Sequence, residues 1–94
     1  MLFVAILQDL PGMASARHGL AVQEHLTHLG NAGIKAAGPL RVTTDGPIVG
    51  GLWIIEANTR ADAAALVEGD VYFQAGLRRY ELFNWSKVGG TANL

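Results

Sequence analysis

The sequence predicts one small α+β domain, a four-stranded antiparallel sheet with two helices on one face, in the order βαββαβ. Three observations lead there. Apolar runs at residues 2–7, 34–43, 51–57 and 77–85 are short, rich in β-branched or aromatic residues, and bounded by Gly, Pro and Asp turns, which is strand chemistry. Two intervening segments either repeat apolar residues at helical spacing or are rich in alanine. The length of 94 residues, half of them hydrophobic, allows one core and leaves no room for a second domain.

Leu2 to Leu7 is continuously apolar and reads as a strand near the centre of the sheet or buried on both faces. Gln8-Asp9-Leu10-Pro11-Gly12 then carries turn chemistry, with Pro11 fixing its own φ and Gly12 free to take a positive one. A helix is expected from about Ser15 to Asn31. Val22, Leu26 and Leu29 recur there at i, i+4 and i+7, Ser15 is a suitable N-cap, and Gly30 and Gly33 lie near the stop. The second strand, Ile34 to Thr43, is interrupted by Gly38-Pro39; proline donates nothing to a ladder, so this strand belongs at an edge or carries a bulge. Asp45-Gly46-Pro47 turns the chain into a third strand, Gly51 to Ala57, antiparallel to the second. Thr59 is the expected N-cap of a second helix, with Asp62 in the capping-box position, and Gly69 ends it. Leu77 to Trp85 closes the fold, so the domain spans residues 1–88 and a tail occupies 89–94.

Right-handed crossovers put both helices of such a chain on one sheet face, the ferredoxin-like arrangement. The other face is left bare. Because the first and third strands are apolar at nearly every position, a second copy of the sheet is the expected cover, giving a homodimer through the sheet face.

Composition narrows the function classes. The formal charge is −1 and the basic residues are scattered, which gives nucleic acid no footprint. The absence of cysteine removes disulfides, thiolate nucleophiles and Cys-based metal sites. No apolar run reaches the roughly 18 residues of a membrane span, and the opening Met1 to Leu7 lacks the basic start of a signal peptide, so a cytoplasmic location is expected. The glycines show no phosphate-loop spacing, and no cofactor is expected.

Among titratable residues, His25 falls on the apolar stripe of the first helix and is therefore pushed toward the interior. Two roles are open to it: a core histidine satisfied by a backbone carbonyl, or a proton-moving group whose tautomer is fixed by a second residue. Asp70, after Gly69, is available as that second residue or as the cap of a short helical turn at Val71 to Ala75. Asp9, at the end of the first strand, is available as a binding group or as an Asx-turn ahead of Pro11. His18 and His28 lie near the same stripe, without the carboxylate cluster that a shared metal would need. His28 is expected at a rim or on the surface, and His18 in the first turn.

Six pieces of sequence, taken in order, resemble the YciI family. They are Ile6-Leu7-Gln8-Asp9-Leu10-Pro11-Gly12, Glu24-His25-Leu26-Thr27-His28-Leu29, Ala37-Gly38-Pro39-Leu40, Gly50-Gly51, the run from Gly69-Asp70-Val71-Tyr72 to Leu77, and Trp85. The resemblance spans about residues 2 to 87 and implies a dimeric α/β barrel of ferredoxin-like halves, each with a small cleft holding a His–Asp pair. It makes His25 and Asp70 the candidate catalytic pair, with Asp9 the second candidate partner. A few relatives act in the breakdown of aromatic compounds, one of them as a dehydrochlorinase. Two departures stand out: Val71 where the family has proline after the aspartate, and Val22 where many members carry an arginine one turn before the histidine. The second leaves the cleft a cation short and implies a preference for neutral or weakly acidic compounds, unless another basic residue such as Arg17 compensates.

Two functions from different classes follow. One is a small-molecule isomerase or lyase of dehydrochlorinase type that moves a proton through His25 and Asp70 without a cofactor. The other is a non-catalytic module that has kept dimer and cleft to bind or regulate. A His25–carboxylate bond opening on a cleft favours the first; His25 sealed against a backbone carbonyl favours the second.

Overall fold

A computed structural model describes residues 1–13 and 22–89. The chain runs β1 (Leu2–Asp9), α1 (Val22–Leu29), β2 (Ile34–Arg41), β3 (Ile48–Glu56), α2 (Arg60–Glu68), α3 (Val71–Gln74) and β4 (Arg78–Trp85). The four strands form one antiparallel sheet in the order β2-β3-β1-β4, the ferredoxin-like topology. The expected N-cap Ser15, together with Arg17 and His18, lies outside the described residues, as do residues 90–94 of the tail.

β1 is the spine of the sheet and shows how sequence sets the two faces. Phe3, Ala5 and Leu7 are fully buried, whereas Leu2, Val4 and Ile6 between them are only half-buried. The unbroken apolar run is thus an alternating strand with two apolar faces rather than one buried on both. Phe3, Ala5 and Leu7 face Ile55, Trp53 and Gly51 of β3, and with Val67 and Ala63 of α2 and Leu29 of α1 they form the core beneath the helices. On the opposite face, Val4 and Ile6 pair with Ile54 and Leu52 of β3, and Val4 meets the half-exposed Phe83 of β4.

β1 runs two residues beyond its apolar stretch, so Gln8 and Asp9 are strand residues, paired in register with Arg79 and Arg78. The chain turns only after them, with Gly12 at φ +77. β2 is the edge strand, as Pro39 requires. Its irregularities flank the proline rather than coincide with it, falling between Ile34 and Ala36 and between Leu40 and Arg41. Gly50 is held to glycine by close approach of the neighbouring strand, since a Cβ there would lie 2.0 Å from the Leu7 carbonyl oxygen. The Thr59 hydroxyl caps α2 by accepting from the Asp62 N–H at 3.1 Å. α3 is the short helical turn expected after Asp70.

Candidate functional site

α1 crosses the sheet so that His25 looks across to the start of α3. Its Nδ1 lies 2.6 Å from Oδ1 of Asp70, a short, charge-assisted contact. The side chain of His25 is 13% exposed and that of Asp70 not at all. Asp70 occupies the N-cap position of α3 but its side chain makes no capping bond, so its carboxylate serves the imidazole rather than the helix. Its second oxygen, Oδ2, is buried with no hydrogen-bond partner among the described residues. A buried carboxylate compensated by one contact makes that contact costly to break.

With Nδ1 turned to Asp70, the imidazole keeps an Nε2 that has no hydrogen-bond partner among the described residues. A neutral ring donating Nδ1–H to the carboxylate has its lone pair on Nε2, the form a general base requires. The ring of Tyr72, from α3, stacks on the imidazole at 4.2 Å between centroids and 19° between planes. The same phenol ring lies 5.1 Å from the guanidinium carbon of Arg78. His25, Tyr72 and Arg78 border a cleft of about 280 Å³ together with Trp53, Gly51 and Pro39. Leu26, expected on the stripe against the sheet, is 54% exposed and borders this cleft instead.

Asp9, held in the sequence reading as the second candidate partner of His25, is engaged elsewhere. Its Oδ1 accepts from Nε of Arg78 at 3.0 Å, and the two residues face each other directly across the β1–β4 ladder. Register decides this: both side chains point to the helix side at the cleft end of the sheet. His28 is half-buried. Its Nε2–H donates to the Leu66 carbonyl at 2.6 Å, and its ring tilts against Trp53 at 6.0 Å. The backbone-carbonyl role that was open to His25 therefore belongs to His28, which ties α1 to the end of α2.

Arg78 was not singled out in the sequence, yet it is a cation that the cleft possesses. It is 6% exposed and stands among the lining residues. Arg17, where compensation for Val22 was sought, lies outside the described residues. A sequence signal for Arg78 exists: it shares strand parity with Tyr80 and Leu82, the inward residues of β4. No cluster of three or more His, Asp or Glu side chains suited to a metal occurs among the described residues.

The profile of the YCII-related domain matches residues 1–86. The chain belongs to the YCII-related domain family. Among solved structures, this YCII-related domain is similar to the 5-chloro-2-hydroxyhydroquinone dehydrochlorinase TftG of Burkholderia phenoliruptrix, in complex with 2,5-dihydroxybenzoquinone. The TM-score is 0.79 and the identity 28%, over 92% of this chain and 94% of that one. No curated protein matches the sequence significantly. Among the described residues, no helix is long and apolar enough to cross a membrane.

Proposed function

We propose that this YCII-related domain is a cofactor-independent lyase of dehydrochlorinase type, acting on a compact oxygenated ring compound, with His25 and Asp70 as its catalytic pair. The observation that carries the reading is the 2.6 Å contact between His25 Nδ1 and a fully buried Asp70 at the edge of a cleft. The similarity to a dehydrochlorinase at 28% identity over 92% of the chain supports the reaction class.

In such an elimination the ligand reacts through a keto tautomer whose chlorine sits on a saturated ring carbon, and Nε2 of His25 takes a ligand hydroxyl proton as the halide leaves that carbon. The electrons of the broken bond to hydrogen form the new π bond, and those of the carbon–halogen bond depart with the halide. Asp70 holds the tautomer and stabilises the imidazolium that forms. The proton then returns to water, so that HCl is the net loss. Tyr72, flat against the imidazole, limits the ring's rotation and screens one of its faces from solvent.

We propose further that the protein works as a homodimer joined through the open sheet face. Val4, Ile6 and Leu52 are half-buried there in the single chain and Phe83 is half-exposed, an apolar surface that a second sheet would cover. A cytoplasmic setting belongs to the same proposal, since a chain without cysteine has no disulfide to gain from an oxidising compartment.

Chloride release from a panel of chlorinated hydroquinones tests the reaction. The native chain should turn over at least one, and His25→Asn should lower kcat/KM by about 100-fold or more. Undiminished turnover by His25→Asn, or no turnover across the panel, would overturn the assignment.

A further inference from the structure

We infer that Arg78 makes the cleft selective for anions: its terminal amino groups, with the indole N–H of Trp53 beside them, form a seat for a negatively charged oxygen on a small planar ligand. The inference rests on reading the cleft as a ligand site, and names the class of ligand it takes.

A guanidinium buried to this degree needs a counter-charge, and Asp9 supplies it. The manner of pairing matters. A guanidinium spent wholly on structure commonly presents two parallel N–H groups to its carboxylate. Here Arg78 meets Asp9 through Nε alone, at 3.0 Å, and its two terminal nitrogens have no hydrogen-bond partner among the described residues. These are the donors that a residue lining a cleft turns toward whatever enters it.

Their position is fixed by a glycine. A Cβ placed on Gly51 would lie 3.6 Å from Nη1 of Arg78 and 3.9 Å from Nε1 of Trp53, with the Gly38 carbonyl oxygen of the neighbouring strand at 3.4 Å. The missing side chain at Gly51 thus leaves a vacant spot bordered by two N–H donors. Trp53 is almost fully buried, and its Nε1 is one of the three atoms nearest that vacant spot. Donors aimed into a partly desolvated site discriminate strongly in favour of charged acceptors. Tyr72 links this seat to the proton-moving end of the cleft, because its ring carries His25 at 4.2 Å and the Arg78 guanidinium at 5.1 Å. A carboxylate or phenolate oxygen held by Arg78 therefore leaves the body of a ring-sized ligand on the His25 side.

The test compares benzoate with its neutral isostere benzamide by titration calorimetry on the full chain. Native protein should bind benzoate at least about 10-fold more tightly, the scale of one charge-assisted hydrogen bond. Arg78→Met should abolish the preference and Arg78→Lys should keep part of it. Gly51→Ala, which fills the seat and leaves every charge in place, should weaken benzoate more than benzamide. Since Arg78→Met leaves Asp9 buried beside an apolar chain, the double variant Asp9→Asn/Arg78→Met is the control for folding and should likewise show no preference. Equal affinities in the native protein, or a preference that survives in either Arg78→Met background, overturns the inference alone. If neither probe binds native protein, the inference falls together with the ligand-cleft reading beneath it. Arg78-dependent benzoate binding without any chloride release would uphold the inference and remove the proposed reaction.

Discussion

Replacing Asp70 by asparagine should separate what this residue does for folding from what it does for chemistry. The bond to His25 is short at 2.6 Å and charge-assisted, a class worth about 1.5–3 kcal/mol. Against it stands the other oxygen, buried without a partner among the described residues, whose lost hydration costs about 1–3 kcal/mol. The two are of similar size and opposite sign, and asparagine removes the charge from both. Its amide oxygen still accepts from Nδ1 of His25, and its volume matches, so no cavity opens. Folding stability from urea unfolding should therefore change by no more than about 1 kcal/mol. Turnover should behave differently. An amide orients the imidazole but does not stabilise the imidazolium, and kcat should fall by about 100-fold or more. A loss of stability above about 3 kcal/mol with kcat unchanged would refute the reasoning, because Asp70 would then be a structural counter-charge. Asp70→Ala provides the contrast. It strands Nδ1 and opens a void, and should lose both stability and activity.

Other consequences are independent of that pair. His28→Ala breaks the bond to the Leu66 carbonyl and should cost about 1–3 kcal/mol by chemical denaturation, with chloride release per folded molecule retained. Gly50→Ala would drive a methyl group into the Leu7 carbonyl and should separate β1 from β3, lowering Tm by several degrees or preventing soluble expression. Phe83→Asp places a charge on the open sheet face and should convert the proposed dimer, with an interface above roughly 1,500 Å², into a monomer by light scattering. Tyr80 donates its hydroxyl to Glu68 at 2.6 Å; burial first, then this bond and the negative charge of Glu68, push its pKa up to about 12. A phenol whose folded pKa is raised stabilises the fold fully below the ordinary value of 10.0, and that contribution disappears as pH rises through about 12. Ultraviolet titration should show one tyrosine ionising late, and Tyr80→Phe should remove that late phase.

The parts of the site that could be read in the sequence are those governed by spacing along one element. Helical periodicity put His25 on the inward face of α1, and the Gly-Asp junction put Asp70 at the start of a short turn. Neither spacing joins the two residues, which are 45 positions apart; the resemblance to the YciI family proposed the pairing, and the fold brings them within 2.6 Å. Asp9 shows the limit from the other side. From the sequence it was as near to Pro11 and an Asx-turn as to any histidine. Its partner became definite only once β1 and β4 were aligned, with Asp9 opposite Arg78. Cross-strand register is a property of two distant segments, and a window on either one contains no trace of it.

Arg78 went unnoticed for a related physical reason. An arginine beside another arginine at the start of a strand reads as a solvated edge, and hydropathy does not distinguish a cation facing water from one turned inward onto a carboxylate. Parity does: Arg78, Tyr80 and Leu82 occupy one face of β4, and on that face Arg78 lies at the cleft end, where Asp9 and Tyr72 accept its charge and its plane. The charge accounting for the cleft therefore changes from the one that Val22 implied. Two carboxylates stand behind two nitrogen bases, Asp70 behind His25 and Asp9 behind Arg78, and the guanidinium of the second pair keeps its charge. In the proposed reading, the first pair carries the proton-moving imidazole and the second the cation that seats the ligand, and the ring of Tyr72 lies against both.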